Sequence, residues 1–330
     1  MQKSHGKAPV RQVMSGTIKR DAVEDMSAAV SSFFDLKAVQ LEPGKMKCRI
    51  DFIAAGNTFL YLEDYPLRTH LTGELLHNRF GFAVPVAGPS LKFSGEEMDY
   101  CRLASAMTGE EMDVFAPGGL RQFVVLLDHA RLLEWADQAA LSPEVQRALR
   151  RGRSTMPLVA KPRAVMALGQ RLKHMLHLAA VGELTMDPAY FDDWVYEQAL
   201  SILDVKDIPR GRPPAAVLVR RAVEISEEQS GPVRIAPLCA ALRVSPGSLE
   251  TAFKSVTGVT PHVFFLRRRL NKARNALLRE DADQCRVTDI ALRLGFSELG
   301  RFAVRYRELF GESPSVTLRR SAQAAGGCKS

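Results

Sequence analysis

Near its C-terminus the chain repeats itself at a fixed offset of 53 residues: Leu249, Phe253, Gly258, Pro261 and Val263 recur as Phe302, Tyr306, Gly311, Pro314 and Val316. In each copy two large apolar residues at i and i+4 share a helical face, and a Gly followed by a Pro supplies helix-stop signals. A shorter helical pattern precedes each copy, at 235–242 and 287–292. Each unit therefore reads as helix, tight turn, helix, an arrangement that can set its second helix in the major groove of DNA. Two such units constrain residues 215–320 to an all-α module.

Charge coincides with the repeat. Residues 212–320 carry 19 Lys and Arg against 11 Asp and Glu, a net of +8, which is the net charge of the whole 330-residue chain. The remainder is balanced, so the positive excess lies where a polyanion would be met.

The motifs resemble a known family. Residues 244–254 (Val-Ser-Pro-Gly-Ser-Leu-Glu-Thr-Ala-Phe-Lys), 258–261 leading into 266–274, 290–297 and 310–314 look like the tandem helix-turn-helix module of AraC/XylS-type transcriptional regulators. Residues 299–303 and 314–318 resemble the branch of that family containing the ethanolamine-utilisation regulator. The resemblance implies a non-enzymatic, cytoplasmic, homodimeric DNA-binding regulator, more often an activator, that works with RNA polymerase. It also implies a cupin-like β-barrel with dimerising helices ahead of the DNA module.

The N-terminal half has its own texture. Short apolar stretches at 50–53, 58–62, 80–86, 91–93, 112–115 and 122–127 alternate with Gly, Pro and Asn, which predicts a β barrel or sandwich. Helical patterns follow at 128–139, 143–151, 162–180 and 188–203. Val165, Leu168, Leu172, Met175, Leu176 and Ala179 form one stripe, suited either to the chain's own core or to a second subunit. The expected organisation is an N-terminal arm (1–44), a β-barrel plus helices for effector binding and dimerisation (45–205), a Pro-rich linker (206–214), the tandem module (215–320) and a flexible tail (321–330). Polar, basic residues 1–21 lack a secretory core, and no apolar run is long enough to span a membrane.

In the first predicted recognition helix Ser245 suits the cap and Pro246 the first turn. Leu249, Ala252, Phe253 and Val256 face inward, leaving Ser248, Glu250 and Thr251 for base edges and Lys254 for phosphate. A Gly at position 247 presents no side chain for readout. In the second, Ser297 suits the cap, and Phe302, Ala303 and Tyr306 face inward. Gly300, Arg301, Val304 and Arg305 face out, with Gly300, Arg301 and Arg305 as base-contact candidates. Arg301 leads, because its guanidinium matches guanine O6 and N7. Arg307 reads as a phosphate contact. A long amphipathic helix at 264–281 joins the units, with Arg267, Arg268, Lys272 and Arg274 as further phosphate candidates.

No Gly-rich phosphate loop, His-Glu-x-x-His or Gly-x-Ser-x-Gly is present, so neither catalytic chemistry nor a cofactor is implied. His70 with His77 and His174 with His177 lack a third ligand for a metal. The five cysteines include no Cys-x-x-Cys pair; Cys48 and Cys101 read as buried small apolar residues, with a pair or reactive thiols as the alternatives. The expected partners are promoter DNA and a small-molecule effector. A redox- or enzyme-coupled regulator and a ligand-independent architectural DNA binder are the competing readings.

Overall fold

The computed structural model describes residues 13–139, 141, 143–150, 158–202, 214–227, 231–280 and 285–326, without the side chains of 144, 148 and 321–326. In chain order the N-terminal elements are β1 (Met14–Arg20), α1 (Val23–Ala29), β2 (Phe34–Gln40), β3 (Cys48–Ala55), β4 (Thr58–Tyr65), β5 (Thr69–Leu75), β6 (Arg79–Ala87), β7 (Lys92–Phe93), β8 (Glu96–Glu97), β9 (Arg102–Leu103), β10 (Ser105–Met107), β11 (Glu111–Ala116), β12 (Leu120–Asp128), α2 (His129–Gln138), α3 (Pro143–Arg150), β13 (Leu158–Val159), α4 (Pro162–Ala180) and α5 (Pro188–Ile202). The C-terminal module elements are α6 (Pro214–Glu227), α7 (Ile235–Leu242), α8 (Pro246–Thr257), α9 (Pro261–Arg279), α10 (Val287–Arg293), α11 (Leu299–Phe310) and α12 (Pro314–Gly326).

The strands form two stacked sheets, ordered β1-β3-β4-β12-β6-β10 and β2-β5-β11-β7-β8, with a small β13-β9 pair beside them. Among the described residues only the isolated bridge between Leu75 and Thr108 links the two large sheets. The expected closed barrel is therefore corrected to an open two-sheet stack, whose edge strands do not join into a ring. The residues read as an N-terminal arm contain β1, α1 and β2, and both strands are built into the sheets. Five of the six apolar stretches named above fall within strands, and the sixth, 91–93, overlaps β7 at Lys92 and Phe93.

Period-2 alternation explains why the larger sheet is apolar on both faces. Along β4, Leu60 and Leu62 join the core under α4 and α5, with Val165, Leu172 and Phe191. Tyr61 and Tyr65 join the core between the sheets, with Phe34, Leu71 and Phe93. The α4 stripe is thus largely consumed by the chain's own sheet: Val165, Leu168, Leu172 and Met175 are buried there. Each fully buried Leu or Phe contributes about 1.5–3 kcal/mol. Cys48 is buried and Cys101 exposed, so the two are not a buried pair. Burial pushes the Cys48 thiol up to about 12, which keeps it protonated and inert.

The C-terminal module begins at Pro214; the linker proper, 206–213, lies outside the described residues. Helix α12 runs on to Gly326 through part of the expected tail, and residues 327–330 also lie outside the described residues. Helix α9 belongs to two cores at once. Its Phe264 and Phe265 pack with Leu238, Leu249 and Phe253 of the first unit, while Leu270, Ala273 and Leu277 pack with Ile290, Phe302 and Tyr306 of the second.

Candidate nucleic-acid interface

The sequence repeat is reproduced in three dimensions. Helices α8 and α11 each span 12 residues, begin 53 positions apart, and end on Gly258 (φ 75°) and Gly311 (φ 70°). These glycines occupy the left-handed region, which a β-carbon disfavours, and each N–H caps the carbonyl four residues back, that of Lys254 or Arg307. Pro261 and Pro314 then open the next helices at positions where no amide donor is needed.

In α8, Leu249, Ala252, Phe253 and Val256 are buried as expected. The Ser245 hydroxyl caps the helix by accepting from the Ser248 N–H at 3.1 Å. Ser248, Glu250, Thr251 and Lys254 are exposed together on the outer face. That face arrives largely self-paired: Ser245 Oγ lies 2.9 Å from Ser248 Oγ, and Lys254 Nζ lies 2.7 Å from Glu250. In α11, Phe302 and Tyr306 are buried, and Gly300, Arg301, Arg305 and Arg307 are exposed. Two details depart from expectation. Ala303 is exposed, because the inner positions are taken by Phe302, Tyr306, Leu309 and Phe310. The cap position is Glu298, without a side-chain capping bond, and not Ser297. Arg301 Nη1 reaches Glu298 at 3.0 Å, an exposed pair worth about 0.2–1 kcal/mol. Val304 is 49% exposed, a large apolar group on the outer face of a basic helix.

The phosphate candidates on α9 divide. Lys272 is exposed and lines a basic cleft between the two units, with Arg269, Arg293 and Arg305. Arg269 is held over the Phe296 ring at 4.1 Å. Arg267, Arg268 and Arg274 are occupied elsewhere. Arg267 donates to the Leu41 carbonyl. Arg268 bonds Glu227 at 2.7 Å with its side chain 12% exposed. Arg274 is 4% exposed and pairs with Glu24 at 2.6 Å and Glu312 at 2.7 Å. These three arginines join elements of the protein instead of forming a free basic face.

Residues not singled out in the sequence add to the Arg267 and Arg274 contacts between the two domains. The Asn271 carboxamide accepts from the Gln40 N–H at 2.9 Å and donates to the Gln40 carbonyl at 3.1 Å. It thereby pairs the backbone of β2, an edge strand of the smaller sheet, as a neighbouring strand would. Gln40 Nε2 and the Gly44 N–H both donate to the Leu309 carbonyl, at 2.6 and 3.0 Å. Leu41 and Phe115 enter the core of the first helix-turn-helix unit, where Phe115 stacks on His70 at 4.1 Å. His70 Nε2 lies 2.8 Å from Asp113, and burial, outweighing that carboxylate, lowers the imidazole pKa. The smaller sheet is therefore a septum. Leu71, Met112 and Val114 face a cavity between the sheets, whereas Phe115, alternating with them, meets the DNA module.

Residues 238–320 match a family described as a helix-turn-helix domain. The chain is 39% identical over 109 residues to the "Probable thc operon regulatory protein" of Rhodococcus erythropolis, covering 33% of each chain. It is 38% identical over 99 residues to the "XylDLEGF operon transcriptional activator 2" of Pseudomonas putida, covering 30% of this chain and 63% of that one. The match thus spans less than two thirds of either relative. A solved structure of a probable AraC family transcriptional regulator from Rhodopseudomonas palustris CGA009 is 39% identical, covering 32% of this chain and 97% of its own, with a TM-score of 0.29. The similarity is thus confined to the helix-turn-helix region, where this chain resembles known operon regulators.

Proposed function

We propose that the chain reads two adjacent major-groove segments of promoter DNA with α8 and α11, under the control of a small molecule held between the N-terminal sheets. The observation that carries the DNA reading is the pair of matched 12-residue helices, each exposing a polar face, with Arg305 of α11 also lining a basic cleft beside Arg269, Lys272 and Arg293. Ser248, Glu250 and Thr251 of α8 and Gly300, Arg301 and Arg305 of α11 are the base-reading set; Lys254, Lys272 and Arg307 hold phosphates. Arg267 and Arg268 reach phosphate only when their bonds to Leu41 and Glu227 open. The weak Arg301–Glu298 pair is readily exchanged for a bidentate guanine contact worth about 1–3 kcal/mol.

Effector control is supported by the septum. A ligand that separates the sheets moves β5 and β11, whose opposite faces pack on α9, so ligand binding and the orientation of the recognition helices share a common element. Met166, Val181 and Tyr190, exposed on and beside α4 and α5, support a second subunit on that side.

Selection of random duplexes by the full-length protein, followed by a salt titration of the best site, tests the DNA reading. The expected motif has two halves near one helical turn apart. Arg301→Ala is expected to lose base preference in one half while keeping nonspecific binding. Selection that enriches no sequence, with salt dependence alone, would overturn the proposal.

A further inference from the structure

We propose that the cavity between the sheets is a site for a small organic ammonium ion with an apolar body, held by the Glu63 carboxylate and the aromatic side chains around it. This rests on the reading of that cavity as the effector site.

The lining is mainly apolar, with Phe34, Tyr61, Phe82 and Phe93 among its walls, and no Lys, Arg or His among the described residues that form it. Glu63 is its one carboxylate. It sits in β4, between Ile50 of β3 and Gln122 of β12 in the strand register, and is 4% exposed. Gln122 Nε2 donates to Glu63 Oε1 at 2.6 Å, and the Tyr65 side chain also bonds it. These neutral donors orient the carboxyl without neutralising it. Burial therefore raises its pKa to about 7.

An ionised carboxylate in apolar surroundings costs several kcal/mol unless a cation meets it. No basic side chain lines the cavity among the described residues, so a cation that meets the ionised form comes with the ligand. Aromatic walls favour the same charge through their ring quadrupoles. A carboxylate ligand would face Glu63 with no basic group to hold it, and a polyol would find few partners on apolar walls. The cavity measures about 80 Å³, about half the 150 Å³ of a cavity that accommodates benzene, so a short aliphatic amine enters by parting the sheets, as the effector reading requires. On binding, an alkylammonium meets Glu63 as carboxylate, and any proton the carboxyl carried passes to solvent. Affinity should therefore rise with pH up to about 7 and level off above it.

The test uses full-length protein with n-butylammonium, n-butanol, butyrate and ethanolammonium, by thermal shift and by calorimetry from pH 5.5 to pH 8. n-Butylammonium is expected to raise the melting temperature and bind at least tenfold tighter than n-butanol at pH 8. Butyrate and ethanolammonium should bind at least tenfold more weakly than n-butylammonium, the first for its charge and the second for its missing apolar body. Glu63→Gln keeps the shape and the Gln122 neighbour; it is expected to retain n-butanol binding while losing the preference for the cation and the pH dependence. Equal binding of n-butanol and n-butylammonium, a preference for butyrate or ethanolammonium, or an unchanged Glu63→Gln profile would overturn the ligand class while leaving the cavity as effector site. Binding of no probe would overturn both the class and the effector role of the cavity, without touching the DNA selection result.

Discussion

Replacing Arg274 with Met tests whether the arginines of α9 are structural. The substitution keeps most of the volume and removes the charge. Arg274 is 4% exposed, bridges Glu24 of α1 to Glu312 after α11, and lies 4.8 Å above the Phe310 ring. Removing one partner of a buried ion pair costs about 3–5 kcal/mol, because the other charge is left without compensation. Glu312 keeps Arg320 and the Thr317 hydroxyl, so only Glu24 is orphaned. Burial already raises the Glu24 pKa, and Arg274 is the largest influence opposing it, so Glu24 answers the loss partly by protonating. The cost therefore sits near the lower end, about 3 kcal/mol. Urea unfolding at pH 7 should show it as a lower midpoint. The double variant Arg274→Met with Glu24→Leu, which replaces the pair by apolar groups, should recover most of the loss. A single-variant cost under about 1 kcal/mol, or a double variant no more stable than the single, would refute a structural ion pair.

Lys272→Ala should lower the slope of log affinity against log salt by about 1 at every sequence, whereas Arg268→Ala should mainly lower the unfolding midpoint; the reverse pattern in a salt titration would exchange their roles. Val304→Ala should weaken a preferred site severalfold where a thymine methyl meets α11, and replacing that thymine by deoxyuridine should cause the same loss without adding to it; full additivity would count against the contact. The Glu63 carboxyl holds its proton in the folded state up to about pH 7, while the unfolded chain releases it near 4.5. The folded state thus binds more protons across that window, and stability should fall as pH rises through it, by about 3 kcal/mol in all. Glu63→Gln should flatten that part of the profile in chemical denaturation; an identical slope would place the proton elsewhere.

The tandem module could be read closely because its signals are local. Gly258, Gly311, Pro261 and Pro314 each fix a backbone conformation by their own chemistry, and the helices between them follow with matching lengths. The one-residue shift from Ser297 to Glu298 is the usual latitude of a helix start. Strand β1 escaped because its Ser-Gly-Thr-Ile-Lys-Arg run is mostly polar and exposed. In β5, His70, Thr72 and Glu74 replace the expected outward polar face with one that borders the DNA module, which hides its pattern. Sheet closure depends on which edges meet, a property of distant strands. The pairing of Arg267, Arg268 and Arg274 is hidden for a similar reason: a charge run on a helix looks solvated until Glu24, Glu227 and the Leu41 carbonyl are brought to it from elsewhere in the chain. Glu63 lies in an otherwise ordinary strand, and only the cavity lining distinguishes it.

Because α9 supplies side chains to both cores, its length acts as a fixed gauge between α8 and α11, the two proposed reading heads. One residue inserted in its middle would turn the second head by about 100° and advance it by about 1.5 Å. Matching that turn on the duplex takes about three added base pairs, which lengthen the site by roughly 10 Å. Rotation and translation thus cannot be restored together, and no change of half-site spacing compensates for an insertion in α9. If α8 and α11 read DNA as proposed, operators for such a chain can diversify in their bases, while the interval between the halves is set by the protein.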